Sequence, residues 1–178
     1  MSNPEDFNLP TDYIFAENSW GNLFYKIYIT NLNYGDAKAQ CESDGTFLAI
    51  PRSQAENDFF AGLFPNEIFW IGINDIEQEG SFVAVDGREV SWTNWSPNQP
   101  SGVGSNGEDE DGVEISTWDG TRRWNDQTVS DERKFVCSID IKGIVFPFES
   151  YRQFLSREKE TWVKIFNFKN DFKTLQQE

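Results

Sequence analysis

The sequence predicts an α+β fold, because two short helical segments come before a series of short strands. The first segment has apolar residues at helical spacing, and the second begins with a helix-capping sequence. From residue 68 onward, short aromatic and β-branched stretches alternate with turns. The 178 residues, 38% of them hydrophobic, suffice for one domain and an appendage.

The N-terminal part predicts an arm, a strand and a helix, in that order. Residues 1–20 are polar with two prolines and are interpreted as an extended arm. The stretch NLFYKIYI, residues 22–29, predicts a strand. In the next segment Gly45 is a suitable end for a helix whose apolar positions are Tyr34, Ala37 and Cys41.

A second helix and the strands follow. Ser53 and Glu56 form a capping box that predicts a helix within SQAENDFFAGLF. The stretch SFVAVDGREVSWTNW alternates in polarity around Asp86-Gly87 and predicts a β-hairpin. Four further strands are predicted at IFWIGIND, GVEIS, RRWND and KFVCSI.

The charge balance and the missing histidines exclude several classes of function. The formal net charge is -15, which disfavours nucleic acid and anionic membrane surfaces as partners. The chain has no histidine, and this excludes Ser-His-Asp and Cys-His reaction centres and most zinc sites. Cation sites built from oxygen ligands remain possible.

The cysteines and the N-terminus leave the compartment open. Cys41 and Cys137 could pair in an oxidising compartment or remain thiols in the cytosol, and their number does not decide between the two. The first residues lack the basic and apolar regions of a signal peptide. We therefore expect either a secreted protein whose signal was removed or, if Met1 is native, a cytosolic one. No apolar run approaches the ~20 residues that span a bilayer.

The composition changes after residue 140. Residues 141–178 contain seven Lys or Arg and five Asp or Glu, whereas residues 1–140 contain eight Lys or Arg and twenty-five Asp or Glu. We interpret 141–178 as an aromatic-rich C-terminal extension, separate from the domain formed by residues 21–140. Its aromatic residues need cover, which its own domain or another subunit could provide.

An acidic run ends the loop NQPSGVGSNGEDEDGVEI, and it has two interpretations. A bare run of carboxylates such as Glu108–Asp111 is usually a solvated loop. An EF-hand is excluded, because with Gly112 at loop position six the first and last ligand positions are Gly107 and Trp118. A cation site would therefore need ligands from other segments. Two candidates are Asn125-Asp126 in RRWNDQ and the acidic residues of WIGINDIEQEGSF, each of which alone suits a polar turn.

Five short motifs in order resemble those of the C-type lectin-like domain. They are AKAQCESDGTFLAI, WIGIND, NQP, RRWND and KFVCS, and the resemblance covers about residues 22–139. The resemblance implies a double-loop domain with two helices and short antiparallel sheets, whose long loop carries calcium and ligand sites. It also implies a disulfide between Cys41 and Cys137, and a cis peptide bond before Pro100 that directs its neighbours toward the metal.

The resemblance implies two calcium sites. The principal site, where the ion also binds sugar hydroxyls, would consist of Gln99, Ser101, Glu110, Asn125 and Asp126. The length of the loop makes both Glu108 and Glu110 candidates for its glutamate, and Glu110 is preferred because it lies two residues before Gly112, which replaces a family cysteine. The auxiliary site would consist of Asp75, Glu79, Glu110 and Asp111.

Two departures from the family pattern bear on function. Ser101 stands where the family has Asn or Asp, and a hydroxyl is a weaker calcium ligand than an amide or carboxylate oxygen. Gly112 and Val129 occupy the positions of the family's inner disulfide, so that bond is absent.

The predicted function is non-enzymatic, calcium-dependent recognition of a carbohydrate or glycoprotein. The Gln99-Pro100 sequence resembles the galactose-type signature more than the mannose-type. The alternative is a structural or assembly protein on the same scaffold that uses residues 141–178 for protein contacts or self-assembly. Carboxylate-based glycoside hydrolysis is disfavoured, because nothing in the sequence separates an acid from a nucleophile.

Overall fold

The computed structural model describes residues 14–18, 21–117 and 120–140, and for residues 14–18, 21–24, 139 and 140 it describes the backbone alone. The predicted C-terminal extension and most of the predicted arm lie outside these residues. Two helices and eight strands are present among the described residues. In chain order they are β1 Ile14–Asn18, β2 Gly21–Leu32, α1 Tyr34–Ser43, β3 Phe47–Leu48, α2 Gln54–Leu63, β4 Ile68–Asn74, β5 Val83–Ala84, β6 Gly112–Ser116, β7 Arg123–Gln127 and β8 Arg133–Asp140.

Both helices form where the sequence predicts them, because each has a side chain that caps its first turn. The Asn33 side chain accepts a hydrogen bond from the Asp36 N–H at the start of α1. Ser53 does the same for the Glu56 N–H at the start of α2. Beyond α1, Gly45 adopts a φ of 71°, a left-handed conformation that glycine tolerates at a helix end.

The strands form a mixed sheet in the order β1-β2-β8-β4-β6-β7, with β3 paired to β8 and β5 paired to β4. All of these pairs are antiparallel except β4 with β8, which are parallel. The fold is therefore α+β, as predicted, although the sheet is not purely antiparallel. The strand β1 lies within the segment that the sequence assigns to the arm.

The predicted hairpin around Asp86-Gly87 is wrong, because only its first strand, β5, forms. The chain turns at Gly87, whose φ is 75°, but residues 88–94 do not pair as a strand. Asp86 instead accepts hydrogen bonds from Arg52 at 2.6 Å and from Arg88 at 2.7 Å, while the Trp92 side chain packs against the core. These side-chain contacts replace the backbone pairing that the alternation predicts.

Two buried clusters fill the domain. The larger includes residues from α2 and the strands of the sheet, with Phe60, Phe69, Ile115 and Trp124 among its fully buried members. The smaller lies under α1 and contains Tyr34, Trp70, Phe135 and the two cysteines. No helix in the described part of the chain is both long enough and apolar enough to cross a membrane.

Candidate functional site

The pairing of β6 with β7 brings the end of the long loop beside the Asn125-Asp126 pair. The loop extends from β5 to β6, and Glu110 and Asp111 come directly before the first residue of β6. Across the ladder, Val113 faces Asp126, and Glu114 faces Asn125. Segments far apart in sequence therefore meet at one end of the sheet, as a split cation site requires.

Asp126 holds the loop at its proline. The Gln99-Pro100 peptide bond is cis, as the family resemblance implies. Just beyond it, the backbone N–H of Ser101 donates to Asp126 Oδ1 at 3.0 Å, and that of Gly102 donates to Oδ2 at 2.6 Å. Asp126 is fully buried.

Glu110 joins the same group of residues, and Glu108 does not. The Ser101 hydroxyl donates to Glu110 Oε2 at 2.8 Å, and the Glu110 N–H donates to the Gly102 carbonyl at 3.0 Å. Glu110 is buried, whereas Glu108 is exposed and accepts a hydrogen bond from Asn106. Of the two candidate glutamates, Glu110, which the sequence favours, is the one that lies beside Ser101 in the folded loop.

Asn125 projects its amide nitrogen toward Glu114. Its Nδ2 donates to Glu114 Oε1 at 3.2 Å and to the Asp126 carbonyl at 2.6 Å. Glu114 also accepts from Arg133 Nε at 2.8 Å. Burial raises the pKa of the Glu114 carboxyl, and the Arg133 guanidinium and the two hydrogen bonds oppose that rise.

The acidic triad of Asp75, Glu79 and Asp111 corresponds to three of the four predicted auxiliary ligands. One ligand oxygen from each lies within 4.8 Å of the others. Glu110, the fourth predicted ligand, is not part of this group and is placed with Ser101 instead. The Glu79 carboxylate lies against Gly102, so the triad adjoins the loop that forms the principal site.

Burial and neighbouring carboxylates raise the pKa of two members of the triad. Burial raises the pKa of Asp75 to about 6, and the charges of Glu79 and Asp111 add to that rise. A hydrogen bond from the Gly80 N–H to Asp75 Oδ2 at 2.8 Å acts in the opposite direction. Burial and the Asp109 charge likewise raise the pKa of Asp111. A cation at this position would relieve the repulsion.

Two buried oxygens in these groups lack hydrogen-bond partners. Among the described residues, only three buried side-chain polar atoms are unpaired, namely Gln99 Oε1, Asp75 Oδ1 and Ser116 Oγ. Buried polar atoms are nearly always satisfied in folded proteins, so each exception calls for a physical reason. Here one unpaired oxygen lies in each predicted calcium site, and amide and carboxylate oxygens are the kind of ligand that calcium prefers.

A disulfide joins Cys41 in α1 to Cys137 in β8, with the two Cα atoms 5.4 Å apart. Both cysteines are fully buried, and the bond closes a sequence separation of 96 residues. The pairing implied by the sequence resemblance is therefore present. The positions of the missing inner bond border Tyr34, because its N–H donates to the Val129 carbonyl at 3.0 Å and its ring lies against Gly112.

Sequence reasoning missed three residues in the hydrogen-bond network around the predicted principal site: Gly102, Glu114 and Arg133. The available signal for Glu114 was a charged residue inside the short strand GVEIS. Nothing in the sequence alone connects it with Arg133 or Asn125, because that connection depends on how β7, β6, β4 and β8 pair.

Comparison with known proteins agrees with this geometry. A family model described as the Lectin C-type domain matches residues 30–139. The chain is 32% identical to Lectin BRA-3 of Megabalanus rosa over 114 residues, which span 63% of this chain and 68% of that protein.

Solved structures show the same fold. The mouse scavenger receptor C-type lectin carbohydrate-recognition domain superposes with a TM-score of 0.65 and 26% identity, covering 75% of this chain and 98% of that one. A calcium-independent type II antifreeze protein superposes with a TM-score of 0.63 at 19% identity, covering 74% of this chain and 94% of that one. This likeness concerns the fold alone. Because the family model covers more than half of its residues, the chain belongs to the C-type lectin domain family of non-enzymatic, carbohydrate-binding proteins.

Proposed function

We propose that this chain recognises carbohydrate through a calcium ion held at the principal site, in the loop that precedes β6. Membership of a carbohydrate-binding family supports the ligand class. The residues that would hold the ion are Gln99, Ser101, Glu110, Asn125 and Asp126. When bound, calcium supplies a positive charge and free coordination positions for two neighbouring sugar hydroxyls.

The observation that carries the proposal is the unpaired, buried Oε1 of Gln99. Gln99 lies in the long loop after β5 and directly precedes the cis proline. Just beyond that proline, hydrogen bonds to Asp126 and Glu110 anchor the loop. An amide oxygen that is buried without a donor costs free energy, which a cation within reach would recover. The unpaired Oδ1 of Asp75 supports a second ion at the acidic triad on the same physical grounds.

The sugar class that we propose is galactose-type. Gln99-Pro100 supports it, and Ser101 is the position that weakens it, since a hydroxyl replaces an amide or carboxylate there. We also propose that the protein acts outside the cell. The Cys41–Cys137 disulfide supports an oxidising compartment, because such bonds are rare in the cytosol.

Calorimetric calcium titration tests the metal part of the proposal. Glu110→Gln should weaken principal-site binding at least tenfold, because it removes a buried carboxylate that already contacts Ser101. Glu108→Gln is the matched control, since Glu108 is exposed, lies two residues before Glu110, and loses the same charge. Equal effects of the two variants, or no binding by the wild type at millimolar calcium, would overturn the principal site.

A glycan array, probed with and without a calcium chelator, tests the carbohydrate part. We expect binding to terminal galactose or N-acetylgalactosamine that the chelator removes. Binding that persists in chelator would contradict the calcium-dependent mechanism while leaving carbohydrate recognition intact. Binding restricted to mannose-type glycans would contradict the galactose assignment.

A second candidate function is protein assembly on the same scaffold, with calcium absent or purely structural. The observation that favours it is that Asp126 and Glu110 already accept hydrogen bonds from Ser101 and Gly102, so the loop can close without an ion. The predicted extension 141–178 would then mediate contacts with a protein partner or a second copy. Deleting residues 143–178 should shift the assembly state in analytical ultracentrifugation, and an unchanged, equally stable product would exclude this role.

A further inference from the structure

Glu114 is a buried carboxylate to which the proposed function gives no role. It lies at the centre of β6, where all five residues are buried, and its exposed fraction is 3%. A buried charge is costly unless partners compensate it, so its retention at this point of the sheet needs a reason. Across the β6–β7 ladder the residue opposite Glu114 is Asn125, a member of the principal site.

Both oxygens of Glu114 have a defined partner. Oε1 accepts from Asn125 Nδ2 at 3.2 Å, and Oε2 accepts from Arg133 Nε at 2.8 Å. Arg133 is itself held in place, since it donates to Asp131 Oδ2 at 2.9 Å and its guanidinium lies 5.6 Å from the centre of the buried Trp70 ring. The direction of the carboxylate is therefore fixed by partners on both of its oxygens.

The neighbours of the Asn125 amide nitrogen determine which way the amide points. Nδ2 donates to Glu114 Oε1 and to the Asp126 carbonyl, and both of these atoms can only accept. The opposite orientation would place the amide oxygen against two other oxygens. These two acceptors therefore fix the amide with Nδ2 toward Glu114 and Oδ1 facing away from it.

We propose that Glu114, held by Arg133, is a positioning residue that orients Asn125 so that its amide oxygen is available to a divalent cation. A cation binds the amide oxygen and is repelled by the partially positive NH₂ group, so a randomly oriented amide would be a poorer ligand. This inference rests on the proposed calcium site and specifies which residue prepares one of its ligands.

Glu114→Gln tests the proposal, because the neutral side chain of similar size no longer requires a donor from Asn125. We expect calorimetric titration to show principal-site calcium affinity about tenfold weaker, with affinity at the acidic triad unchanged. Asp131→Asn is the matched control, since it removes a carboxylate from Arg133 without touching Asn125, and it should change neither affinity by more than about twofold. If Glu114→Gln does not fold, Glu114→Asp provides the same test. It keeps a carboxylate near Arg133, but its shorter side chain reaches less far toward Asn125.

A double-mutant cycle separates positioning from general structural support. If Glu114 acts through Asn125, Glu114→Gln should add no further loss of calcium affinity to Asn125→Ala. An equal loss in both backgrounds, or an equal weakening of the principal site and the triad, would overturn the proposal.

The Asn125 side-chain amide resonances of the calcium-free protein give a readout that is independent of metal. They should shift in Glu114→Gln and not in Asp131→Asn. An unchanged spectrum in Glu114→Gln, or unchanged principal-site affinity, would overturn the positioning role while the wild-type site still binds calcium. Absence of principal-site binding in the wild type would instead overturn the proposed function, and the amide resonances would still show whether Glu114 orients Asn125.

Discussion

The hydroxyl of Ser101 donates a hydrogen bond of 2.8 Å to Oε2 of Glu110, which joins two residues predicted to bind the same calcium ion. Ser101 also donates its backbone N–H to Asp126, so it lies between two carboxylates. A donor at this position neutralises part of their repulsion in the absence of metal. To a bound calcium ion it would contribute only a hydroxyl oxygen, so we expect Ser101 to be the position that limits affinity.

Replacement of Ser101 by aspartate should strengthen calcium binding at the principal site. Ser101→Asp adds a carboxylate oxygen, and we expect affinity to increase about tenfold, or roughly 1.4 kcal/mol, in calorimetric titration. The same substitution should lower the melting temperature in chelator, because three carboxylates then meet without a cation. Ser105→Asp, at an exposed position of the same loop, controls for net charge, and an equal gain from that variant would contradict the argument.

The sequence predicted most of the elements because their signals are local. The α2 helix begins at Ser53, and the strands β4, β6, β7 and β8 lie where aromatic and β-branched residues are bounded by turns. The failed hairpin after Asp86 shows the limit of such signals, because alternation cannot foresee that Arg52, from a distant segment, binds Asp86.

The sequence motifs name the residues of the predicted calcium sites, but they do not show the contacts that join those residues. Motif order was enough to name Gln99, Ser101 and Asp126 and to prefer Glu110 over Glu108, whereas the burial of Glu110 and its contact with Ser101 appear only in the folded loop. The contact between Glu114 and Asn125 depends on the register of β6 and β7, and register is a property of the whole sheet.

Calcium binding at the acidic triad should weaken as the pH falls below about 6. Burial, assisted by the charges of Glu79 and Asp111, raises the pKa of Asp75 from 3.8 to about 6, so protons compete with the ion in this range. Titrations at pH 7.5 and pH 5 should show a marked loss of affinity at the triad. Triad affinity that is independent of pH would contradict the environment described for Asp75.

Asp75 should also make the calcium-free domain less stable as the pH rises from about 4 to about 6. Its folded-state pKa lies above its unfolded value, so the folded chain binds the proton more tightly and loses that advantage as the group ionises. Asp75→Asn should therefore raise stability in chelator at pH 7 and remove this part of the pH dependence in urea denaturation. In excess calcium the same variant should be less stable than the wild type, because binding to the folded form is lost.

Removal of the Cys41–Cys137 disulfide should lower the free energy of unfolding by about 4–5 kcal/mol in the chain-entropy model. The bond links residues 96 positions apart in the sequence. Without it, the unfolded chain has much more conformational freedom. The double variant Cys41→Ala/Cys137→Ala, compared with the wild type in guanidinium denaturation, measures this loss. Saturating calcium should recover part of it, and a loss below about 1 kcal/mol would show that the unfolded chain is already constrained.

Gly112→Ala should destabilise the domain by about 1–3 kcal/mol, although it adds only one methyl group. A Cβ atom at this position would lie 3.1 Å from the Trp70 ring and 3.1 Å from the Tyr34 ring. Both rings are fully buried and packed edge to face with centres 5.4 Å apart, so neither can move aside without disturbing the core under α1. Gly62→Ala, within α2 and with no atom within 4 Å of the added Cβ, is the matched control and should stabilise the domain by up to about 1 kcal/mol. Thermal and urea denaturation of both variants measure the difference, and a neutral Gly112→Ala would mean that the space left by the missing inner disulfide is not filled by Tyr34.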